Sequence, residues 1–444
     1  RRAEALPPTL ESLQLYRDLA KTNKAFLPDL ARALGNLASL SIAQGNNTAA
    51  IPLLRESVSS ELTYLQRELP LLPEGRRQGL VEVFGDRWQI PFSQADRGEA
   101  GAQLALFTRL NRQGLLQELQ RNQALLARSG AWQPLVEQIT ALNNQLASVS
   151  LKPEQRQALQ AQKEQLETQL HQKLPELQPS LVEPSQVSAA LRAQAPQGLL
   201  VEFQRYRALD AGLAWGSPRY IALVLHPDGR IASIPLGEAA SLDAAIHKAV
   251  DASAQGLDDA PQLWLQISQR LLTPLQAQLN GAVELFLSPD GELNRIPFAA
   301  LPSPTDSSRL LGEAFQLRLL TTGRDLLRLQ QPIPAGGPAV VIANPLYDAG
   351  SHRSTAASTG AGGITTSTSA GPQKRSAAQG SGRHWAPLPA TAQEAQQLAP
   401  LLHAGPPLTG ADATASATLA LRAPRILHIA SHGFFDPDPV AVAS

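Results

Sequence analysis

The residues best suited to chemistry are His432 and Gly433, in the run Arg425-Ile426-Leu427-His428-Ile429-Ala430-Ser431-His432-Gly433-Phe434-Phe435. An imidazole titrates near pH 6.5, so it can take up or release a proton at neutral pH. A glycine lets a reacting carbonyl approach bare backbone, whose N–H can stabilise developing negative charge. The pair lacks a nucleophile, because cysteine occurs nowhere in the chain. Ser431 is a poor substitute, since neighbouring side chains on a strand point opposite ways. His428 shares the His432 face but sits about 13 Å away at roughly 3.3 Å per residue, too far to share a metal ion. It is expected to be a packed or hydrogen-bonded histidine. Asp436 and Asp438 could orient His432, although Asp-Pro-Asp-Pro reads first as a turn. The alternative for His432 is a turn histidine with no chemical role.

The elements that must position this pair follow from the pattern around it. The apolar run that breaks at Gly433 reads as a buried parallel strand ending at the carboxyl edge of an α/β sheet, where ligands and catalytic groups collect. Upstream, Leu199-Leu200-Val201-Glu202-Phe203 reads as a strand. Arg219–Leu225 and Arg230–Leu236 form a hairpin around Pro227-Asp228-Gly229. Val283–Leu287, Phe315–Leu320 and Ala339–Ala343 are further strands. Helices are expected over 240–280, 391–402 and 413–421, giving a mainly parallel α/β sheet. Glu202, Arg205 and Arg207 are expected to be solvated or structural, and Arg295 and Arg324-Asp325 to stabilise the fold. Residues 349–383, rich in Ser, Thr, Ala and Gly, read as a disordered insertion.

Residues 1–183 read as helix. Leu34, Leu37, Ala38, Gly45, Ala50 and Leu54 follow a helix-turn-helix plan similar to one tetratricopeptide repeat, placed at 1–70. Residues 71–183 form a helical spacer. Its first stripe, Leu104 to Leu126, is expected to run unbroken to Ser129-Gly130. Leu135–Leu146 and Leu159–Leu174 then suggest a coiled-coil-like hairpin. The fold class is therefore an all-α repeat region followed by an α/β domain at 184–444.

Composition excludes several functions. Lys+Arg and Asp+Glu both number 38, so no global field attracts nucleic acid. No apolar run approaches the roughly 18 residues of a membrane span. The lack of cysteine removes disulfides and thiolate metal sites. No phosphate loop or His-Glu-x-x-His occurs, so no cofactor or metal is expected. The chain has no Met and begins Arg1-Arg2-Ala3, so it is expected to be a piece of a longer protein, truncated at both ends.

The α/β half resembles the CHAT domain, a caspase-like cysteine peptidase family associated with tetratricopeptide repeats. The resemblance is carried by Leu199–Phe203, Arg219–Leu225, Ser288-Pro289-Asp290-Gly291 through Phe298, Gly323-Arg324-Asp325, Ala343-Asn344-Pro345, Leu388–Thr391 with Glu394, and His428–Phe435. It implies an incomplete caspase-like domain with His432 as proton shuttle and Gly433 N–H as an oxyanion donor. It implies a Cys at the end of the next strand, roughly 50 residues on, beyond this chain. A protein or peptide substrate, a protein partner on the helical repeats and a cytoplasmic location are expected. The alternative is a catalytically silent interaction scaffold.

Overall fold

The computed structural model describes residues 6–127, 132–146, 152–172, 181–303, 306, 308–330, 336–347 and 385–433. The expected breaks at Ser129-Gly130, the 349–383 stretch, Asp436 and Asp438 fall outside these residues.

The chain opens with helices α1 (Leu6–Thr22), α2 (Leu27–Ala43), α3 (Asn47–Glu68) and α4 (Glu74–Glu82). Gly45 turns α2 into α3, and the Asn46 side chain caps α3 by accepting the Ala49 N–H at 3.2 Å. Ala38 and Ala50 have no exposed surface, which lets the two helices pack closely. A 3-10 stretch at Gly85–Gln94 leads into α5 (Glu99–Arg112), followed by α6 (Leu115–Ala127), α7 (Gln133–Leu146), α8 (Pro153–Gln172) and α9 (Pro184–Gln194). The stripe expected to run unbroken from Leu104 to Leu126 is interrupted between α5 and α6. There Gly114 takes a left-handed φ of 71°, a conformation open to glycine at little cost.

The mixed α/β part begins with β1 (Gly198–Leu209), β2 (Trp215–Leu225) and β3 (Ile231–Glu238). It continues with α10 (Ala239–Gln255), α11 (Ala260–Leu272), α12 (Gln276–Leu279), β4 (Glu284–Ser288), α13 (Leu311–Ala314), β5 (Gln316–Leu319) and α14 (Asp325–Leu329). The five strands lie in the order β3-β2-β1-β4-β5. The β1–β2 and β2–β3 pairs are antiparallel, and the β1–β4 and β4–β5 pairs parallel. This sheet is mixed rather than mainly parallel, because the short turn at Pro227-Asp228-Gly229 makes β2 and β3 a hairpin.

β1 is covered on both faces. Leu199, Val201 and Phe203 pack with Leu242, Ile246 and Leu271 of α10 and α11. Leu200 and Tyr206 face the other way, with Leu106, Leu110, Val187 and Leu191. α5 joins three clusters: Leu104 packs with the α2–α3 hairpin, Phe107 with Leu62 and Leu65, and Leu106 with the sheet. A helix buried this completely takes its stability from tertiary packing.

The strand alternation also puts Glu202 on the α5 face. Arg109 meets it there, Nε to Oε2 3.0 Å, with both side chains fully buried. Of the two expectations for Glu202, solvated or structural, the structural one holds.

Compactness divides the residues into two units, one of 1–137 with 164–332 and one of 138–163 with 333–444. The second contains β6 (Val340–Pro345), α15 (Pro389–Leu401), β7 (Leu408–Gly410), α16 (Ala415–Leu419) and β8 (Leu427–Ala430). Its three strands lie in the order β7-β6-β8, all parallel. Val341 and Ala343 pack against Ala395 and Ala399 of α15. β8 was expected to be a buried strand. Among the described residues it lies at the sheet edge, with Leu427 and Ile429 43% and 52% exposed.

Candidate functional site

β8 delivers Ser431, His432 and Gly433 at its carboxyl end, beside the end of β6. The register pairs Ala343 with Ala430, so Tyr347, just past β6, lies near Ser431 and His432. The Tyr347 hydroxyl is 3.1 Å from Ser431 Oγ and accepts the His432 backbone N–H at 3.4 Å. Ser431 is thus engaged with Tyr347, which also lies against the His432 ring.

The His432 ring is half-buried, with its centroid 4.9 Å from those of both Tyr347 and Trp385. His432 Nε2 lies 2.7 Å from the carbonyl oxygen of Ala386. A carbonyl can only accept, so Nε2 carries a proton and Nδ1 is left as the basic nitrogen. Gly433 is exposed, and among the described residues a Cβ built there would meet nothing within 4 Å, which leaves its backbone open to an approaching group.

The segment carrying Trp385 and Ala386 is fixed by Asn344. That residue has a left-handed φ of 44°, and its Oδ1 accepts the Leu388 N–H at 2.7 Å. His428 is apart from this group: its Nε2 pairs with Glu394 Oε1 at 3.1 Å. Two pieces of the sequence resemblance, Ala343-Asn344-Pro345 and Leu388-Pro389, therefore meet beside His432. Trp385 and Tyr347 were missed by sequence reasoning. The only signal for them was an aromatic residue at each end of a stretch poor in aromatics.

Elsewhere the motif residues have structural work. Asp290 Oδ2 accepts Arg205 N–H at 2.7 Å and Gln204 Nε2–H at 2.8 Å, tying the Ser288–Gly291 turn to β1. The Asp325 carboxylate accepts the Thr321 N–H at 3.0 Å and pairs with Arg328 at 2.8 Å. Burial pushes the Glu292 carboxyl up, but hydrogen bonds from His247 and Arg295 outweigh it and hold the group below its usual range. Burial first, then the Asp243 carboxylate, raises the Tyr220 hydroxyl. Among the described residues, no group of three or more His, Asp or Glu could hold a metal ion. No described helix is long and apolar enough to cross a membrane.

Residues 262–442, the stretch that includes β4–β8, match the family model of the CHAT domain. No curated protein matches the chain.

Proposed function

We propose that the chain is part of a caspase-like cysteine endopeptidase. In this reading tetratricopeptide-like helices at 1–70 and a coiled-coil-like spacer receive a protein partner, and the domain from 184 onward cuts protein. The observation that carries it is His432 at the carboxyl end of β8, its Nε2 committed to the Ala386 carbonyl and its Nδ1 left basic.

In the complete site, Nδ1 would take the proton of a cysteine thiol as the thiolate attacks the peptide carbonyl. The carbonyl oxygen gains negative charge, for which the open Gly433 N–H is a donor. The intermediate collapses, the C–N bond breaks and His432 gives its proton to the leaving amine. Water then hydrolyses the thioester. The cytoplasm is the compartment this reading assigns.

The absence of cysteine from these 444 residues favours a second reading, a non-catalytic platform whose helices capture a partner. Sequencing the source gene past codon 444 separates the two. An apolar strand ending in Cys within roughly 35–70 codons supports the peptidase, and Cys-to-Ala and His432→Ala in that full protein should each abolish cleavage. A frame that closes without such a Cys refutes it.

A further inference from the structure

His432 is gripped from three directions. Tyr347 and Trp385 lie against its ring, tilted 57° and 35° to it, and the Ala386 carbonyl holds Nε2 at 2.7 Å. The grip is assembled from two separate pieces of chain, one just past β6 and one just before α15. Asn344 joins them through its 2.7 Å bond to the Leu388 N–H, from a left-handed backbone. Left-handed backbone is uncommon for a non-glycine residue and persists where its surroundings over-determine it. Here the amide bond to Leu388 and the burial of neighbouring Ala343 supply that constraint.

We infer that Asn344, Tyr347 and Trp385 are positioning residues that hold His432 in one tautomer and one ring orientation. The purpose of this arrangement rests on the peptidase reading, but its geometry does not. Turning the ring over would exchange Nε2 for Cε1, leave a C–H against the Ala386 carbonyl and lose the hydrogen bond, and moving the proton to Nδ1 would set the Nε2 lone pair against that carbonyl. The two flanking rings oppose the intermediate angles through which the imidazole would have to pass. Nδ1 is thereby kept as the nitrogen that takes and returns a proton.

The test is a long-range proton–nitrogen correlation spectrum of the 444-residue chain, with His432 assigned by loss of its signals in His432→Gln. The expected spectrum shows the Nε2-protonated neutral ring, its carbon-bound protons displaced upfield by the flanking aromatic rings. Asn344→Gly keeps the left-handed backbone but removes the acceptor, and should lose the displacement and move toward the tautomer mixture of a free histidine. Asn344→Asp retains an acceptor and should restore both. Trp385→Leu should lose much of the displacement, and Trp385→Phe should keep more of it.

A free-histidine signature in the unaltered chain overturns the inference. So does an unchanged spectrum in both Asn344→Gly and Trp385→Leu. Since no step needs cleavage, a missing nucleophile would sink the peptidase reading and leave this result standing.

Discussion

Arg109 of α5 and Glu202 of β1 meet in the core at 3.0 Å, and neither side chain has any exposed surface. Arg109 also donates to Gln204 Oε1 at 3.3 Å, Ser288 Oγ at 3.0 Å and the Pro289 carbonyl at 3.1 Å. Glu202 accepts from the Thr322 hydroxyl at 3.0 Å and from the Gly323 N–H. Asp290 Oδ1 also lies 3.6 Å from Arg109 Nη1, but removing either member of the pair takes a buried charge from its nearest partner. Arg109→Met or Glu202→Leu alone should cost about 3–5 kcal/mol, measured by urea unfolding of the chain. The double variant should recover a substantial part of the loss. Additive losses would show that the two groups do not act as a pair.

Asn111 should be nearly as intolerant for a different reason. It is fully buried, with Oδ1 accepting the Val182 N–H at 2.7 Å and Nδ2 donating to the Val182 carbonyl at 2.8 Å. Asn111→Leu fills similar volume but leaves both backbone groups unpaired. A loss of about 1–3 kcal/mol is expected from the same unfolding measurement. Amide exchange should quicken first at Val182.

Two helical glycines should respond in opposite directions to alanine. A Cβ on Gly101 would lie 2.0 Å from the Gln94 backbone oxygen, so the chain itself must move. Gly101→Ala should destabilise by about 3 kcal/mol. Gly79, exposed in α4, has nothing within 4 Å of its Cβ position. Gly79→Ala should stabilise by roughly 0.4–1 kcal/mol. Equal midpoints for the two variants in thermal melts would contradict this.

Glu292 links stability to acid. Its carboxyl titrates lower in the folded chain than in the unfolded one, despite the burial that pushes it up, because His247 and Arg295 hydrogen-bond the carboxylate. The stabilisation is thus present above the unfolded value, near pH 4.3, and is lost as pH falls through the folded value. His247→Ala should raise the Glu292 midpoint, read by carboxyl carbon NMR. It should cost less than about 1 kcal/mol near pH 6, because the pair is partly solvated.

Strong local signals were legible in the sequence. The alternating runs around Pro227-Asp228-Gly229 are the β2–β3 hairpin, and Gly45-Asn46 is the turn between α2 and α3. His432 does stand at the carboxyl end of a parallel strand. What could not be read was long-range. Arg109 carries no signal in the sequence, and only folding brings it to Glu202, 93 positions away. The Leu104–Leu126 stripe runs across a break in which Gln113 is extended and Gly114 takes a positive φ. The three-residue β7 is too short to show a period at all. Trp385 and Ala386 became relevant only through Asn344, whose amide acts 44 positions along the chain.

The rings of Tyr347 and Trp385 lie on the same imidazole, yet residues 348–384 separate them in sequence. The two ends of that stretch are therefore pinned across the width of one side chain, whatever its length. Closing a chain between fixed ends grows costlier only with the logarithm of its length, about 0.6 kcal/mol per doubling. Lengthening or shortening the chain between these two fixed ends should therefore change the closure cost little.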